Sequence, residues 1–254
     1  MTGETGLIDE LRAAALSAGA AILDIYAQDF AVARKADASP VTQADQLAET
    51  IILEALRRAA PGIAVVAEEL AAAGGLPAAA PERFWLVDPL DGTKEFIARN
   101  GEFTVNIALI ERRRPVLGVV HAPALDVTYW AADGRAFRRR GSGAAEPIFA
   151  RPVPAEGAVV VHSRSHADEA QLAAYVGALA KAERRVSGSS IKFCLLAAGE
   201  ADLYPRFGRT MEWDTAAGQA VLEAAGGHVA TRDGAALAYG KPGFVNPDFF
   251  ARGR

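Results

Sequence analysis

Trp85-Leu86-Val87-Asp88-Pro89-Leu90-Asp91-Gly92-Thr93-Lys94-Glu95-Phe96 is the stretch on which the reading of this chain turns. The apolar run Phe84 to Val87 has the signature of a buried strand and delivers Asp88 into a tight turn. Pro89 stiffens that turn, Asp91 returns three residues after Asp88, and Gly92 allows close backbone approach. Two carboxylates converging on one point repel each other unless a cation lies between them, and a hard, all-oxygen site suits magnesium better than zinc. The Leu90 carbonyl can add an oxygen, while Gly92 and Thr93 offer N–H groups and a hydroxyl at a predicted helix start, a cradle for phosphate. Taken alone, the Asp-x-x-Asp pair is equally an ordinary turn-capping pattern.

Upstream, Leu7, Leu11, Ala14/Ala15, Ala18, Ile22 and Ile25 recur at three- and four-residue spacing and predict a helix over 7–27. A polar link, 34–40, leads to a second helix from Thr42, whose hydroxyl is placed to cap, to the Pro61-Gly62 stop. Asp45, three residues after Thr42, fits the acidic member of a capping box. A short strand, 63–67, runs into Glu68-Glu69, and the Ala/Gly/Pro-rich stretch 71–81 reads as an exposed loop. Downstream, 103–111, 115–121 and 126–131 read as antiparallel strands, which makes this half α+β. From 158 onward the expected order is strand 158–162, helix 167–181, strand 184–187, helix 190–198, strand 202–206 and helix 214–225, a layered α/β unit. The division falls near residue 150, giving halves 1–150 and 151–254 that share a cleft.

Bulk properties exclude several classes. With 51% hydrophobic and 23% charged residues the chain is expected to fold, and at a net charge of −4 it has no basic face for a nucleic-acid polymer. The triplets Arg112–Arg114 and Arg138–Arg140 read as solvated turns or strand ends. The single cysteine, Cys194, lies in an apolar run and reads as a buried small hydrophobe. The first residues lack the pattern of a signal peptide, and no apolar run approaches the roughly 20 residues that span a bilayer, so a cytoplasmic location is expected.

DPLDGTKEF at 88–96 resembles the signature of the lithium-sensitive, metal-dependent phosphomonoesterases of the inositol monophosphatase superfamily, which includes fructose-1,6-bisphosphatases and bisphosphate nucleotidases. Glu68-Glu69 after a short strand is similar to the family's first-metal glutamate, and Trp213-Asp214-Thr215-Ala216-Ala217-Gly218 to its second signature. The resemblance implies a layered αβαβα sandwich combining α+β and α/β parts. It further implies two magnesium ions, the first on Glu68, Asp88 and the Leu90 carbonyl, the second on Asp88, Asp91 and Asp214, with Asp88 bridging. Thr93 and Glu68 would orient and help deprotonate the attacking water. Asp45 would be the acidic partner of the threonine or the ligand of a third, looser ion. The plain alternatives are an N-cap for Asp214 and a solvated strand end for Glu68-Glu69.

Within the family, Lys94 to Ile97 and Arg99 to Ala108 resemble the CysQ-type 3'(2'),5'-bisphosphate nucleotidases, where inositol monophosphatases usually carry Thr-Asn-Phe after Gly-Thr. Ser163-Arg164-Ser165-His166, the run Gly188 to Cys194, and Leu203-Tyr204-Pro205-Arg206 match the same subfamily, over about residues 35 to 250. The implied reaction removes the 3'-phosphate of adenosine 3',5'-bisphosphate to give AMP, which serves sulfate assimilation by clearing an inhibitory by-product. Asp91, Gly92, Thr93 and Asp214 would surround the substrate near the scissile phosphate. Arg164, His166, Lys192 and Arg206, with Ser163 and Ser189 as neutral donors, are candidates for the second phosphate and nucleoside. For His166 and Lys192 the alternative is a surface role at a helix end. The enzymatic alternative is an inositol-phosphate phosphatase. A catalytically silent nucleotide sensor is disfavoured by the complete ligand set with Thr93. The expected partner is a small nucleotide; a homodimer is compatible with the sequence, and some members of the subfamily bind the cytoplasmic face of the inner membrane peripherally.

Overall fold

The computed structural model describes residues 4–35, 40–164 and 168–254. The chain begins with α1 (Glu4–Tyr26), a hairpin of β1 (Val32–Arg34) and β2 (Pro40–Thr42), and α2 (Gln43–Ala59). There follow β3 (Ala64–Ala67), α3 (Glu68–Ala72), β4 (Arg83–Asp91), α4 (Thr93–Ile97), β5 (Thr104–Glu111), β6 (Arg114–Ala122), β7 (Val127–Ala132), β8 (Arg135–Arg140) and β9 (Glu146–Pro147). The remainder comprises β10 (Ala158–His162), α5 (Glu169–Gly177), β11 (Ala182–Val186), α6 (Ile191–Ala197), β12 (Leu203–Arg206), β13 (Thr210–Met211), α7 (Ala216–Ala224), β14 (His228–Thr231), β15 (Val245–Asn246) and β16 (Phe249–Arg252).

Strands β3 to β9 form a seven-stranded sheet in sequence order, antiparallel except for the β3–β4 pair. A second, five-stranded sheet has the order β11-β10-β12-β16-β14, with β10 parallel to both neighbours and β16 antiparallel to both of its own. Alternation along β4 sorts the layers, because successive side chains of a strand point to opposite faces. Trp85 and Val87 pack with Leu11 and Ile22 of α1 and Ile52 and Leu56 of α2. Phe84 and Leu86 join Phe193 of α6 and Val221 of α7, and through them Tyr204 and Phe249 of the smaller sheet. Val160 and Leu203 of the smaller sheet meet Leu172 of α5 in a third cluster. The order α1/α2, large sheet, α6/α7, small sheet, α5 is the expected αβαβα sandwich. The middle layer sits close: a Cβ at Gly118 of β6 would come within 2.7 Å of the Ala217 carbonyl and of Ala220 in α7.

Several local expectations shift. The strand expected to end at Val87 continues as β4 through Asp91, and β8, β9, β14 and β16 were not anticipated. In β8 only Ala136 and Phe137 are apolar and the other four residues are arginines, so charge hides the pattern. Arg138 there is paired with Glu146 and Glu200, whereas Arg112 and Arg113 form the β5–β6 turn with positive φ of 47° and 66°. The helix expected over 167–181 is α5, four residues shorter at its end, and that expected from 214 starts at Ala216. Cys194 is fully buried, and burial pushes its thiol well up, as its apolar context suggested. Among the described residues no helix is long and apolar enough to cross a membrane.

Candidate active site

Asp88 and Asp91 reach the same side of the large sheet through a defect in the ladder. Asp88 lies opposite Asn106 and Asp91 opposite Thr104, so three steps along β4 match two along β5. Regular alternation would turn residues three apart to opposite faces; the bulge at Pro89-Leu90 restores them to one. Proline is tolerated there because it has no N–H to offer the ladder. Asp88 is buried and its Oδ1 accepts the Leu90 N–H at 3.0 Å. Asp91 Oδ2 accepts the Ser190 N–H at 2.6 Å, Asn106 Nδ2 at 3.3 Å and the Thr104 hydroxyl at 3.5 Å. Gly92 follows with φ of 94°, where a Cβ would meet the Glu102 carbonyl at 3.1 Å, and hands over to α4 at Thr93.

The Thr93 hydroxyl lies 3.2 Å from Asp45 Oδ1 and 3.3 Å from the Leu90 carbonyl. The other Asp45 oxygen accepts the Thr42 N–H at 2.7 Å and its hydroxyl at 2.8 Å, so the capping box and the contact to Thr93 coexist in one carboxylate. Burial pushes the Asp45 carboxyl up against the pull of those bonds. Glu68 opens α3 at the end of β3, and Lys35 Nζ binds it at 2.6 Å and Glu69 at 2.5 Å. Glu49 was not foreseen: buried on α2, it accepts the Glu69 N–H at 2.8 Å and the Leu70 N–H at 3.0 Å, capping the helix that carries Glu68. Its spacing of four from Asp45, which puts both on one helical face, was the available signal.

Asp214 is no helix cap. Thr215 occupies that position, and Asp214 Oδ2 instead accepts the Met211 N–H at 2.9 Å. Burial, then repulsion by Glu68, Asp91 and Asp214, drives the Asp88 carboxyl well above the usual range. Asp214 is raised likewise by burial, Asp91 and Glu68. Asp91 is pushed up to about 6 by burial, against Lys192 and the Ser190 N–H. Among the described residues no three acidic, histidine or cysteine side chains close on a single point. Glu68 is drawn to Lys35, and the aspartates are held by backbone donors.

These groups line a cavity of about 1050 Å³, room for a nucleotide-sized ligand. Glu68, Asp88, Leu90, Asp91, Gly92, Thr93 and Asp214 line it, as do Ser163, Arg164, Ser189, Lys192 and Arg206. Asp45 stands behind Thr93, and His166 lies outside the described residues. Lys192 is not at the surface: it is buried, donates to the Ser187 carbonyl at 3.2 Å and to that of Ser189, and lies 5.2 Å from the centre of the Tyr204 ring. Burial lowers it to about 8 against the attraction of Asp91. Arg206 is buried and donates to Ser163 Oγ at 3.1 Å, while Arg164 is half-exposed and pairs with Glu102 at 2.9 Å. Ser189 has φ of 45°, a strained position in the loop that supplies the Ser190 N–H to Asp91.

Residues 6–251 match the inositol monophosphatase family. The chain belongs to that family. It is 50% identical over 246 residues, 96% of this chain and 98% of the relative, to the 3'(2'),5'-bisphosphate nucleotidase CysQ of Salmonella typhimurium. Among solved structures it resembles CysQ from Bacteroides thetaiotaomicron, described as a bacterial member of this family, with a TM-score of 0.82, 37% identity, and coverage of 99% of this chain and 98% of the other. An inositol monophosphatase from Anabaena follows at a TM-score of 0.78 and 27% identity, covering 99% and 92%. A family member of this kind is a phosphatase, and the sandwich layering agrees with these neighbours.

Proposed function

We propose that this chain is a magnesium-dependent 3'(2'),5'-bisphosphate nucleotidase that converts adenosine 3',5'-bisphosphate to AMP and phosphate. The observation that carries the substrate is the 50% identity, over nearly the whole of both chains, to a relative of that name. The cleft supports it by setting acidic groups beside Lys192, Arg206 and Arg164, which suit a substrate with a second phosphate. The family's chemistry is metal-dependent in general, and the donor set here fits magnesium: every candidate ligand is a hard oxygen, and buried carboxylates that repel one another await a compensating charge. Glu68, Asp88, the Leu90 carbonyl, Asp91 and Asp214 would hold two ions, whose chemistry is to neutralise the attacking and leaving oxygens in an in-line displacement.

The remaining steps belong to the chain's own residues. With its hydrogen directed to Asp45 Oδ1, the Thr93 oxygen is free to accept from the attacking water and fix its approach. As the water oxygen bonds to phosphorus and the phosphorus–O3' bond breaks, the water proton passes to Thr93 Oγ1 while the threonine proton passes to Asp45, whose burial makes it a stronger base than an exposed aspartate; the leaving 3'-oxygen takes a proton from solvent to become the hydroxyl of AMP. Glu68, which lines the same cavity, helps Thr93 orient the water. Gly92 and the α4 N–H groups receive the phosphate, and the cationic wall takes the second phosphate.

Phosphate release from adenosine 3',5'-bisphosphate, inositol 1-phosphate and fructose 1,6-bisphosphate, with and without magnesium, tests the proposal. Preferred turnover of the adenosine substrate, dependent on magnesium and inhibited by sub-millimolar lithium, is expected. Preferred turnover of the inositol phosphate would replace this reading by the inositol-phosphatase one.

A further inference from the structure

Asp214 sits on a turn whose own bonds are few. The Met211 N–H reaches its carboxylate at 2.9 Å, and its N–H reaches the Met211 carbonyl at 3.3 Å. The preceding strand β13 has only two residues, paired to β15. A more substantial hold comes from Glu212, which has no exposed surface and does not line the cavity. Its carboxylate accepts the Gly240 N–H at 2.7 Å and the Lys241 N–H at 2.8 Å, and meets Lys241 Nζ at 2.7 Å. Its main chain is equally committed: its N–H donates to the Phe244 carbonyl at 2.9 Å, and its carbonyl receives the Ala216 N–H, at the start of α7, at 3.0 Å. Glu212 therefore joins three things: the turn bearing Asp214, the first residue of α7, and the 240–244 loop, whose Gly243 lines the cavity. A carboxylate buried this fully, with each oxygen on a donor, is expensive to desolvate, and the proposed reaction gives it no part.

We propose that Glu212, clamped by Lys241 and the 240–241 backbone, is a positioning residue that sets Asp214 for metal binding. The inference rests on reading Asp214 as a metal ligand. A group that supports a ligand in this way acts on affinity: once the ion is bound, the geometry it enforces is largely restored. Glu212→Gln keeps the volume but puts an NH2 where one oxygen faced a donor, so the clamp opens on one side. Lys241→Met removes the cation and leaves both backbone donors. Asp202→Asn is the control, since Asp202 is equally buried and holds Arg151 at 2.8 and 3.1 Å and the Val159 N–H at 2.7 Å, yet does not line the cavity.

The test titrates magnesium against each full-length variant, following the rise in melting temperature without substrate and, separately, phosphate release. For Glu212→Gln and Lys241→Met the magnesium needed for half the effect is expected to rise on the order of tenfold, the low end for loss of such support, with turnover near normal at saturation. Asp202→Asn is expected to melt lower with its magnesium dependence unchanged. An unchanged magnesium midpoint in both clamp variants, with only the melting temperature lowered, would overturn the proposal and leave Glu212 a structural residue. Should Glu212→Gln fail to fold, Lys241→Met alone decides by the same two outcomes. Asp214→Asn separates the layers of the argument. If it binds magnesium as the parent does, the ligand reading falls and the clamp with it; if it loses binding while the clamp variants keep theirs, only the clamp falls.

Discussion

The two faces of the seven-stranded sheet experience the same desolvation and answer it differently. On the face toward α1 the buried titratable group of β6 is His121, pressed against Gly19, with Nδ1 at 3.2 Å from the Val127 carbonyl and 3.0 Å from Thr128 Oγ1. Burial lowers it to about 4, and nearby Asp126 and Arg139 act in opposite senses. The neutral ring simply packs. On the face toward α6 and α7, burial raises Asp88, Asp91 and Asp214 together, and their mutual repulsion stores a demand for positive charge. A lone buried base resolves its desolvation by shedding a proton, whereas clustered carboxylates either hold their protons or take up a cation, and the proposed function rests on the second.

The contrast breaks most sharply at Asp88. Asp88→Asn is expected to cut turnover by more than about a thousandfold, or about 4 kcal/mol, while circular dichroism shows an unchanged fold, because a charge is lost with little volume. Near-normal turnover would remove Asp88 from the site. On the other face, His121 should register in stability instead. The unfolded chain takes up this proton near pH 6.5 and the folded one only near 4, so between them the unfolded state holds more protons and stability falls as pH drops. The loss should reach about 3 kcal/mol across that window, and His121→Gln should flatten the acid limb of a melting-temperature series without altering its magnesium dependence. An equally steep limb in the variant would assign the acid sensitivity to other groups.

Thr93→Ala sharpens the comparison within the cleft. Turnover should fall on the order of a hundredfold with the apparent magnesium affinity nearly unchanged, since a positioned proton acceptor is removed and no ligand. Rescue by high magnesium would instead make Thr93 part of the metal site. The smallest effect belongs to Arg164, half-exposed and paired with Glu102. Arg164→Ala should lower turnover of adenosine 3',5'-bisphosphate by about tenfold and leave a small phosphate ester untouched, because a remote charge-assisted contact acts only on a substrate that carries the remote group. Equal losses on both would place the Arg164–Glu102 pair in shaping the cleft.

By itself the sequence determined the elements whose signals are local. The apolar run before Asp88, the capping box at Thr42 and Asp45 with the Pro61-Gly62 stop of α2, and the 3.6-residue periodicity of α1 all rest on neighbours a few residues away, and all appear in the fold. It also named part of the cavity lining, Glu68, Asp88, Asp91 and Asp214 among the acids and Arg164, Lys192 and Arg206 among the cations, because a carboxylate at a strand end or an arginine in an apolar setting is legible from type and spacing. Tertiary structure alone decided what depends on partners remote in sequence. The bulge that turns Asp91 to the side of Asp88 is a mismatch with β5, invisible in β4 read alone. Glu49 capping α3 reaches across about twenty residues, the turn of Asp214 is held from 240–241, and Lys192 points at the carbonyls of its own loop. Hydrogen bonds to buried backbone groups have no periodicity to announce them; they follow from which segments packing brings together, and that is settled only when the sandwich has formed.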